Sequence, residues 1–287
     1  VDNSLKFLRC SPKQITCIII HFTFLVNRFG EIIVATSRCS QYTGYKGEMF
    51  MDVLALKNIT MNYQDLNNEV TAIDHISFNV SEGEFVVIIG PSGCGKSTLL
   101  SIISGILPAS GGDVFIDGEK STGITPKIGY MLQNDNLLEW RTIYKNILLG
   151  LEIQKQLTDE NIAYANSLLK TYGLYDFKDS YPSQLSGGMR QRAALIRTLV
   201  TKPEVLLLDE AFSALDYQTR LAVTDDVYGI IRKEKKTIVM VTHDIPEGIS
   251  MADRVIVLSN RPAKIQSIHK IEFEQLKNRT PLKCRKE

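Results

Sequence analysis

The sequence predicts an α/β protein whose central strands pair in parallel. Three continuous apolar runs, EFVVIIG, EVLLLDE and KTIVMVTHD, have the composition of strands that are buried on both faces. Segments with helical patterning separate these runs. Such alternation of helices with buried strands implies parallel pairing.

The predicted elements follow one another along the chain. VLALKNITMNY and AIDHISFNV alternate apolar with polar residues, which predicts strands with one exposed face. EFVVIIG leads through a glycine-rich turn into the helix TLLSIISGI, and GGDVFIDGE predicts a short strand. Residues 142–175 have a mostly helical pattern, and DRVIVLSN predicts a strand at an edge of the sheet. The polar, basic KNRTPLKCRKE at the C-terminus predicts a frayed tail.

Composition narrows the class of protein without identifying it. The 287 residues are 44% hydrophobic and 23% charged, as in ordinary globular proteins. The net charge of +1 supplies no global basic field, so the composition gives no reason to expect a nucleic-acid partner. Five cysteines without a CxxC pair form no disulfide framework, which favours a reducing compartment.

Residues 1–50 differ in sequence pattern from the remainder of the chain. The apolar run at 15–26 is too short to span a bilayer, although it superficially resembles a signal peptide. Lys46-Gly47-Glu48 can be encoded by a bacterial ribosome-binding sequence, and Met51 follows shortly afterwards. We therefore expect residues 1–50 to be an upstream leader or non-native segment, with a native tail or an anchor as the alternatives.

The stretch GPSGCGKS, residues 90–97, matches the phosphate-binding pattern G-x-x-x-x-G-K-[ST] between a buried strand and a helix. Glycines let the backbone fold around phosphate oxygens, Lys96 reaches the β- and γ-phosphates, and Ser97 offers a hydroxyl to Mg²⁺. The alternative is a glycine-rich turn with a chance lysine, which the flanking strand and helix disfavour. The candidate nucleotide-binding residues here are Gly90, Ser92, Gly93, Gly95, Lys96, Ser97 and Thr98.

Acidic residues end the second buried run. Asp209 is predicted to emerge at the carboxyl end of its strand and to hold Mg²⁺, directly or through water. Glu210 is placed to orient or deprotonate an attacking water. Two acids at a strand end would more often form a helix cap, but the phosphate loop favours the catalytic interpretation.

Other candidate residues have ordinary structural interpretations as well. His243 follows the third buried run and is expected at the same sheet edge as Asp209, near a γ-phosphate, although a lone histidine is usually structural. Gln133 carries an amide suited to Mg²⁺ or water, but alone it would be a surface residue. Tyr63 is either a packing residue or an aromatic that stacks on a base.

A second anion site is predicted at LSGGMRQR, residues 185–192. Ser186 has the character of an N-cap, and Gly187 and Gly188 leave the first backbone N–H groups of the helix open. A helix start of this kind binds anions. One domain thus carries two candidate phosphate sites.

Together these motifs resemble the nucleotide-binding subunit of ATP-binding cassette (ABC) transporters. GPSGCGKST, the glutamine of MLQN, the signature LSGGMRQR, LLLDE, the SALD loop and the histidine of VTHD occur in family order over about residues 52–265. One departure is Ala211, where the family commonly has proline. The resemblance implies a P-loop fold with a mainly parallel central sheet, an N-terminal antiparallel β subdomain and an inserted helical lobe at about 134–185. The ABC ATPase domain would span 51–270, followed by a tail at 271–287.

The resemblance also implies how two phosphate sites serve one chain. Family members pair head to tail around two ATP molecules with Mg²⁺, so Ser186, Gly187 and Gly188 would contact the partner's nucleotide. Asp216 of the SALD loop is carried over as a further nucleotide-binding residue. The catalytic residues carried over are Glu210, His243 and Gln133, and the metal ligands are Ser97, Gln133 and Asp209.

LLEWRT and the segment after VTHD are similar to the nitrate/sulfonate/taurine importer group. This similarity implies separate transmembrane permease subunits, an extracytoplasmic solute-binding protein as an indirect partner, and a peripheral position on the cytoplasmic face of the membrane. Trp140 is either a packing anchor of the helical lobe or part of a groove for the permease. The transported solute cannot be read from this chain.

Two rival classes share the phosphate loop. DNA-repair and chromosome ATPases insert a long coiled coil before the signature, but only 89 positions separate Ser97 from Ser186, without sustained heptads. P-loop kinases and GTPases need neither the LSGG sequence nor a histidine at the sheet edge.

Overall fold

The computed structural model describes residues 8–9, 52–65, 68–213 and 215–272. The predicted leader lies outside these residues except for 8–9, and the predicted tail lies outside them from residue 273 onward. The strands are β1 (Leu8–Arg9), β2 (Asp52–Asp65), β3 (Asn68–Ser81), β4 (Phe85–Ile89), β5 (Gly111–Ile116), β6 (Glu119–Lys120), β7 (Ile128–Met131), β8 (Val205–Asp209), β9 (Thr237–Val241), β10 (Arg254–Leu258) and β11 (Ile265–Glu272). The α-helices are α1 (Lys96–Ile103), α2 (Ile143–Ile153), α3 (Asp159–Thr171), α4 (Gly187–Leu199), α5 (Tyr217–Lys233) and α6 (Ile245–Met251).

The larger sheet has seven strands in the order β1-β11-β10-β4-β9-β8-β7. Strands β10, β4, β9, β8 and β7 pair in parallel, as the apolar runs predicted. All residues of β4, β8 and β9 are buried, because helices or the second sheet cover both faces. The predicted α/β fold is thereby confirmed.

The prediction that DRVIVLSN forms an edge strand was wrong. This segment is β10, and β11 pairs with it in antiparallel register on the side away from β4. The sequence IQSIHKIE of β11 mixes polar and apolar residues without a clean alternation. Strand β11 pairs with β10 through backbone hydrogen bonds, which any residue except proline can form. The residue pattern of β11 therefore did not reveal that a strand covers this side of β10.

The smaller sheet has four strands in the order β3-β2-β5-β6 and is antiparallel, as expected for the N-terminal β subdomain. Its inner residues, one face of the central sheet and helix α1 form one hydrophobic core. Leu99, Leu100 and Ile103 of α1 are fully buried in this core. This packing fixes the helix that follows the phosphate loop.

The opposite face of the central sheet packs against α4, α5 and the helical lobe in a second core. The lobe contains α2 and α3, whose N-caps Thr142 and Thr158 accept hydrogen bonds from the backbone N–H groups of Lys145 and Asn161. Across the described ranges, no helix combines the length and apolar character needed to cross a membrane.

Candidate active site

The predicted site residues lie where neighbouring parallel strands end. The phosphate loop follows β4, His243 follows β9, Asp209 ends β8, and Gln133 follows β7. The strands β4, β9, β8 and β7 are consecutive neighbours in the sheet. Since carboxyl ends of parallel strands share one edge, the fold collects these four segments at a single edge.

Glycine is required at specific points of the phosphate loop. Gly93 and Gly95 have φ angles of +73° and +119°, conformations that side chains disfavour. A Cβ on Gly95 would lie 3.3 Å from the carbonyl oxygen of Ala72 on β3. The loop is therefore pressed against the antiparallel sheet, and its conformation depends on the absence of a side chain there.

Lys96 is the first residue of α1 and is only 6% exposed. Its Nζ donates hydrogen bonds to the carbonyl oxygens of Gly90 at 2.9 Å and Pro91 at 2.8 Å. The ammonium group is thus held over the loop. Cys94 beside it is buried, and burial raises the pKa of its thiol.

Asp209 is held at both carboxylate oxygens. Ser97 Oγ donates to Oδ1 at 3.0 Å, and the hydroxyl of Tyr130 donates to Oδ2 at 3.2 Å. Burial raises the pKa of Asp209, while these two hydrogen bonds act in the opposite direction. Sequence reasoning predicted Ser97 and Asp209 together but missed Tyr130, whose pKa is raised by burial and then by the charge of Asp209.

Glu210 and His243 form a contact at the same edge. His243 Nδ1 lies 3.0 Å from Glu210 Oε2, and the Glu210 backbone N–H donates to the carbonyl of Val241 at 2.9 Å. Glu210 has a φ of +45°, a left-handed conformation uncommon for residues other than glycine. The tight turn after β8 aims its carboxylate at the histidine. We call Lys96, Ser97, Asp209, Glu210 and His243 the phosphate-loop cluster.

Gln133 and Tyr63 border this cluster. The Gln133 side chain is exposed, and its Nε2 donates to Ser213 Oγ at 3.3 Å, three residues after Glu210. The hydroxyl of Tyr63 lies 3.4 Å from Thr98 Oγ1, and 40% of this tyrosine is exposed. Tyr63 therefore contacts the residue after the phosphate loop, and Gln133 contacts the segment after Glu210.

The signature residues lie at a different helix start. Ser186 is the N-cap of α4, and its Oγ accepts a hydrogen bond from the backbone N–H of Met189 at 3.3 Å. A Cβ on Gly187 would lie 3.1 Å from Leu215, and one on Gly188 would lie 2.8 Å from Val223. The start of α4 is therefore packed against α5 and the residue Leu215 that precedes it.

Asp216 caps the neighbouring helix. It is the N-cap of α5 and accepts a hydrogen bond from the backbone N–H of Thr219 at 3.1 Å. Hydrogen bonds from Thr219 lower the pKa of this carboxyl. We call Ser186, Gly187, Gly188, Leu215 and Asp216 the signature cluster; it brings two helix N-termini side by side.

Two arginines of α4, which the sequence did not single out, hold the segment after Gln133. Arg190 Nε donates to Asp135 Oδ2 at 3.0 Å. Arg197 donates to the backbone carbonyls of Asp135 at 2.7 Å and Asn136 at 2.6 Å. These bonds join the Gln133 loop directly to the helix that begins at the signature.

Trp140 is 76% exposed, so its interpretation as a packing anchor of the helical lobe was wrong. Large apolar side chains in a core are covered, whereas this indole is open to solvent. Ala211, which stands where the family commonly has proline, is buried directly after Glu210.

A phosphate loop, a strand-end aspartate and a neighbouring glutamate define a nucleotide-hydrolysing protein, and comparison with known proteins identifies the family. A family model described as ABC transporter matches residues 73–213. The chain is 47% identical over 224 residues to the uncharacterized ABC transporter ATP-binding protein YtlC of Bacillus subtilis, covering 78% of this chain and 86% of that protein. It is 36% identical over 227 residues to the aliphatic sulfonates import ATP-binding protein SsuB of Bacillus cereus, covering 78% and 89%.

The dimeric structure of the ATP-binding cassette MJ0796 bound to ADP and Pi has 31% sequence identity and a TM-score of 0.65, covering 76% of this chain and 99% of that one. The chain belongs to the ABC transporter ATP-binding proteins. It is an ATP-binding cassette with ATPase activity.

Proposed function

We propose that this chain is the ATP-binding subunit of an ABC importer and hydrolyses ATP in a head-to-tail dimer. The observation that carries the proposal is the phosphate-loop cluster, which gathers an ammonium, two carboxylates and an imidazole where parallel strands end. Lys96 and the backbone of residues 90–98 bind the ATP phosphates. Glu210 orients the attacking water, and His243, 3.0 Å from Glu210, lies beside the γ-phosphate.

Magnesium fits this site by the chemistry of its donors. The hydroxyl of Ser97 and the carboxylate of Asp209 are hard oxygen donors in mutual contact at 3.0 Å. Mg²⁺ is commonly held by one or two carboxylates together with substrate phosphates. Ser97 and Asp209 would hold the ion, with Gln133 contributing its amide oxygen, and the bound ion would neutralise phosphate charge.

The signature cluster supplies the second half of a composite site. Its helix start presents backbone N–H groups, which bind anions, and Ser186 is exposed to solvent. Ser186, Gly187, Gly188 and Asp216 of one copy contact the ATP held by the phosphate loop of the other. The solved structure of MJ0796 is dimeric and holds ADP and Pi, which supports a nucleotide-bound dimer of this chain.

The importer assignment is supported by relatives named as aliphatic-sulfonate import ATP-binding proteins. The nitrate/sulfonate/taurine group is accordingly the proposed transport class, with a nitrate-, sulfonate- or taurine-like solute or a related small organic compound. Separate permease subunits hold the chain at the cytoplasmic face of the membrane, and an extracytoplasmic solute-binding protein acts indirectly. The exposed Trp140 lines the surface that receives the permease. We also propose that 51–270 form the ATPase domain, with the helical lobe at about 134–185 and a leader at 1–50. The predicted tail at 271–287 begins two residues too early, because β11 continues to Glu272 and Ile271 is buried in the core.

The test uses two complementary defects in one dimer. Ser186→Arg blocks the partner's γ-phosphate position but leaves the phosphate loop of its own chain intact. Lys96→Ala damages that loop but leaves the signature intact. When the variants are mixed, one composite site of each mixed dimer has two wild-type halves.

We expect ATPase activity to rise above that of either variant alone, and the wild-type rate to increase with the square of protein concentration. A rate linear in protein concentration, with no recovery at any mixing ratio, would contradict action in trans. Loss of ATP binding by monomeric Ser186→Arg would contradict it as well, because the cradle of that chain is untouched.

A further inference from the structure

The Tyr130 hydroxyl reaches Asp209 because of strand register. Tyr130 pairs with Leu207 across β7 and β8. Asp209 is two residues beyond Leu207, and residues two apart share a face of a strand. Tyr130 is half-buried against the core between the two sheets. Its ring is therefore held in place while its hydroxyl lies at the sheet edge.

Asp209 is 6% exposed, so water has little access to its carboxylate. The last torsion of an aspartate side chain is broad, and packing alone fixes it poorly. Here Ser97 binds Oδ1 at 3.0 Å and Tyr130 binds Oδ2 at 3.2 Å, so a donor at each oxygen fixes the carboxylate plane. Removing the phenol would leave Oδ2 without this donor.

The hydroxyls of Ser97 and Tyr130 differ in their other proposed contacts. Ser97 belongs to the phosphate loop and is itself assigned to Mg²⁺. Tyr130 comes from β7, three residues before Gln133, and touches the aspartate from the side of the neighbouring strand. A phenol at neutral pH is protonated and donates its single hydrogen. Its contact with Asp209 therefore orients the carboxylate without making Tyr130 part of the phosphate loop.

We propose that Tyr130 is a positioning residue that fixes the Asp209 carboxylate for Mg²⁺. This inference rests on the magnesium site of the proposed function. It predicts that the hydroxyl contributes to the affinity for nucleotide only when the metal is present.

The test is the affinity of the full chain for the non-hydrolysable analogue AMP-PNP, measured by calorimetry with Mg²⁺ and with EDTA. For Tyr130→Phe we expect unchanged affinity in EDTA and about tenfold weaker affinity in Mg²⁺, equivalent to ~1.4 kcal/mol. Mn²⁺ binding in the presence of AMP-PNP, followed by electron paramagnetic resonance, should weaken in parallel.

The matched control is Tyr164→Phe. Tyr164 is also a half-buried tyrosine that donates to a carboxylate, Glu234 Oε2 at 2.9 Å, between the helical lobe and the end of α5. Tyr164→Phe should lose a comparable hydrogen bond but leave the affinity for AMP-PNP unchanged, both with Mg²⁺ and with EDTA. Adding Tyr130→Phe to Asp209→Asn should cause no further loss of the Mg²⁺-dependent affinity, because Tyr130 acts through Asp209.

The outcomes distinguish failure of the proposed magnesium site from failure of the positioning role of Tyr130. If wild type gains no affinity from Mg²⁺, or Asp209→Asn keeps the whole gain, the proposed magnesium site is wrong. If Asp209→Asn loses the gain but Tyr130→Phe keeps it, the positioning role alone is wrong. Equal weakening in Mg²⁺ and EDTA, or additive losses in the double variant, would indicate general structural damage and overturn the role.

Discussion

The phosphate-loop cluster and the signature cluster are both proposed to bind phosphate at helix starts, but they are built differently. In the first, side chains from segments distant in sequence contact one another: Ser97 of α1 with Asp209 at the end of β8, and Glu210 after β8 with His243 after β9. In the second, the contacts are those of helix N-caps, with Ser186 and Asp216 each bound to a backbone N–H of its own helix.

This difference assigns different tasks to the two regions. The first region carries an ammonium, carboxylates and an imidazole, so it can bind phosphate, hold a metal and orient water. The second carries helix-start N–H groups, two glycines and the Asp216 carboxylate, which is bound as the N-cap of α5, so it can recognise phosphate but has no counterpart of the Glu210–His243 contact. Changes in the first should therefore affect one chain's own binding and chemistry, whereas changes in the second should affect the dimer.

The largest expected effect is that of Glu210→Gln on hydrolysis. General-base catalysis contributes about 10²–10⁴-fold to rates, so turnover should fall by a factor in this range. ATP binding should remain, because Lys96 and Ser97 are unchanged, and an ATP-stabilised dimer should appear on gel filtration. The matched control is Glu82→Gln, an exposed glutamate in the turn before β4, which should keep full activity. Normal hydrolysis by Glu210→Gln would remove Glu210 from the mechanism.

A smaller effect is expected for Lys96→Ala on ATP affinity. Charge-assisted hydrogen bonds contribute about 1.5–3 kcal/mol, so the affinity should fall about ten- to hundredfold in calorimetry. Lys202→Ala is the control, because its Nζ forms an exposed ion pair with Glu160 at 3.0 Å. Unchanged affinity in Lys96→Ala would count against the phosphate cradle.

The smallest expected effect belongs to the signature cluster and is one of stability. Ser186→Ala removes the N-cap of α4 and should lower the free energy of unfolding by about 1 kcal/mol in urea titration. Thr158→Ala removes the corresponding cap of α3 and should cost a similar amount. Only Ser186→Ala should also reduce the ATPase activity of the dimer. Equal activity in the two variants would show that Ser186 is a cap and nothing more.

Much of the site could be predicted because its signals are local. The phosphate loop, the two acids at the end of β8 and the N-cap at Ser186 are each encoded within a few residues, and the parallel sheet brings the strand ends together. Tyr130 could not be found in this way, because its reach to Asp209 depends on the register of two strands distant in sequence.

The remaining misses have the same origin. Arg190 and Arg197 looked like ordinary polar positions of a helix, and only the tertiary fold shows that they hold Asp135 and Asn136. The position of β10 depended on β11, whose sequence lacks a clear strand pattern. Trp140 could be either buried or exposed, since composition does not specify which side of a loop faces solvent.

The left-handed backbone conformation at Glu210 lowers the stability of the fold, while the side chain placed there is the proposed water-orienting carboxylate. A non-glycine residue in this conformation is strained by about 1–2 kcal/mol, whereas glycine adopts it freely at an entropic cost of about 0.5–1 kcal/mol. By these magnitudes, Glu210→Gly would raise the free energy of unfolding slightly, but it would remove the carboxylate. Selection for heat resistance alone would thus favour loss of the proposed catalytic carboxylate at this turn. Only selection that also requires ATP turnover would retain Glu210 if the proposed role is correct.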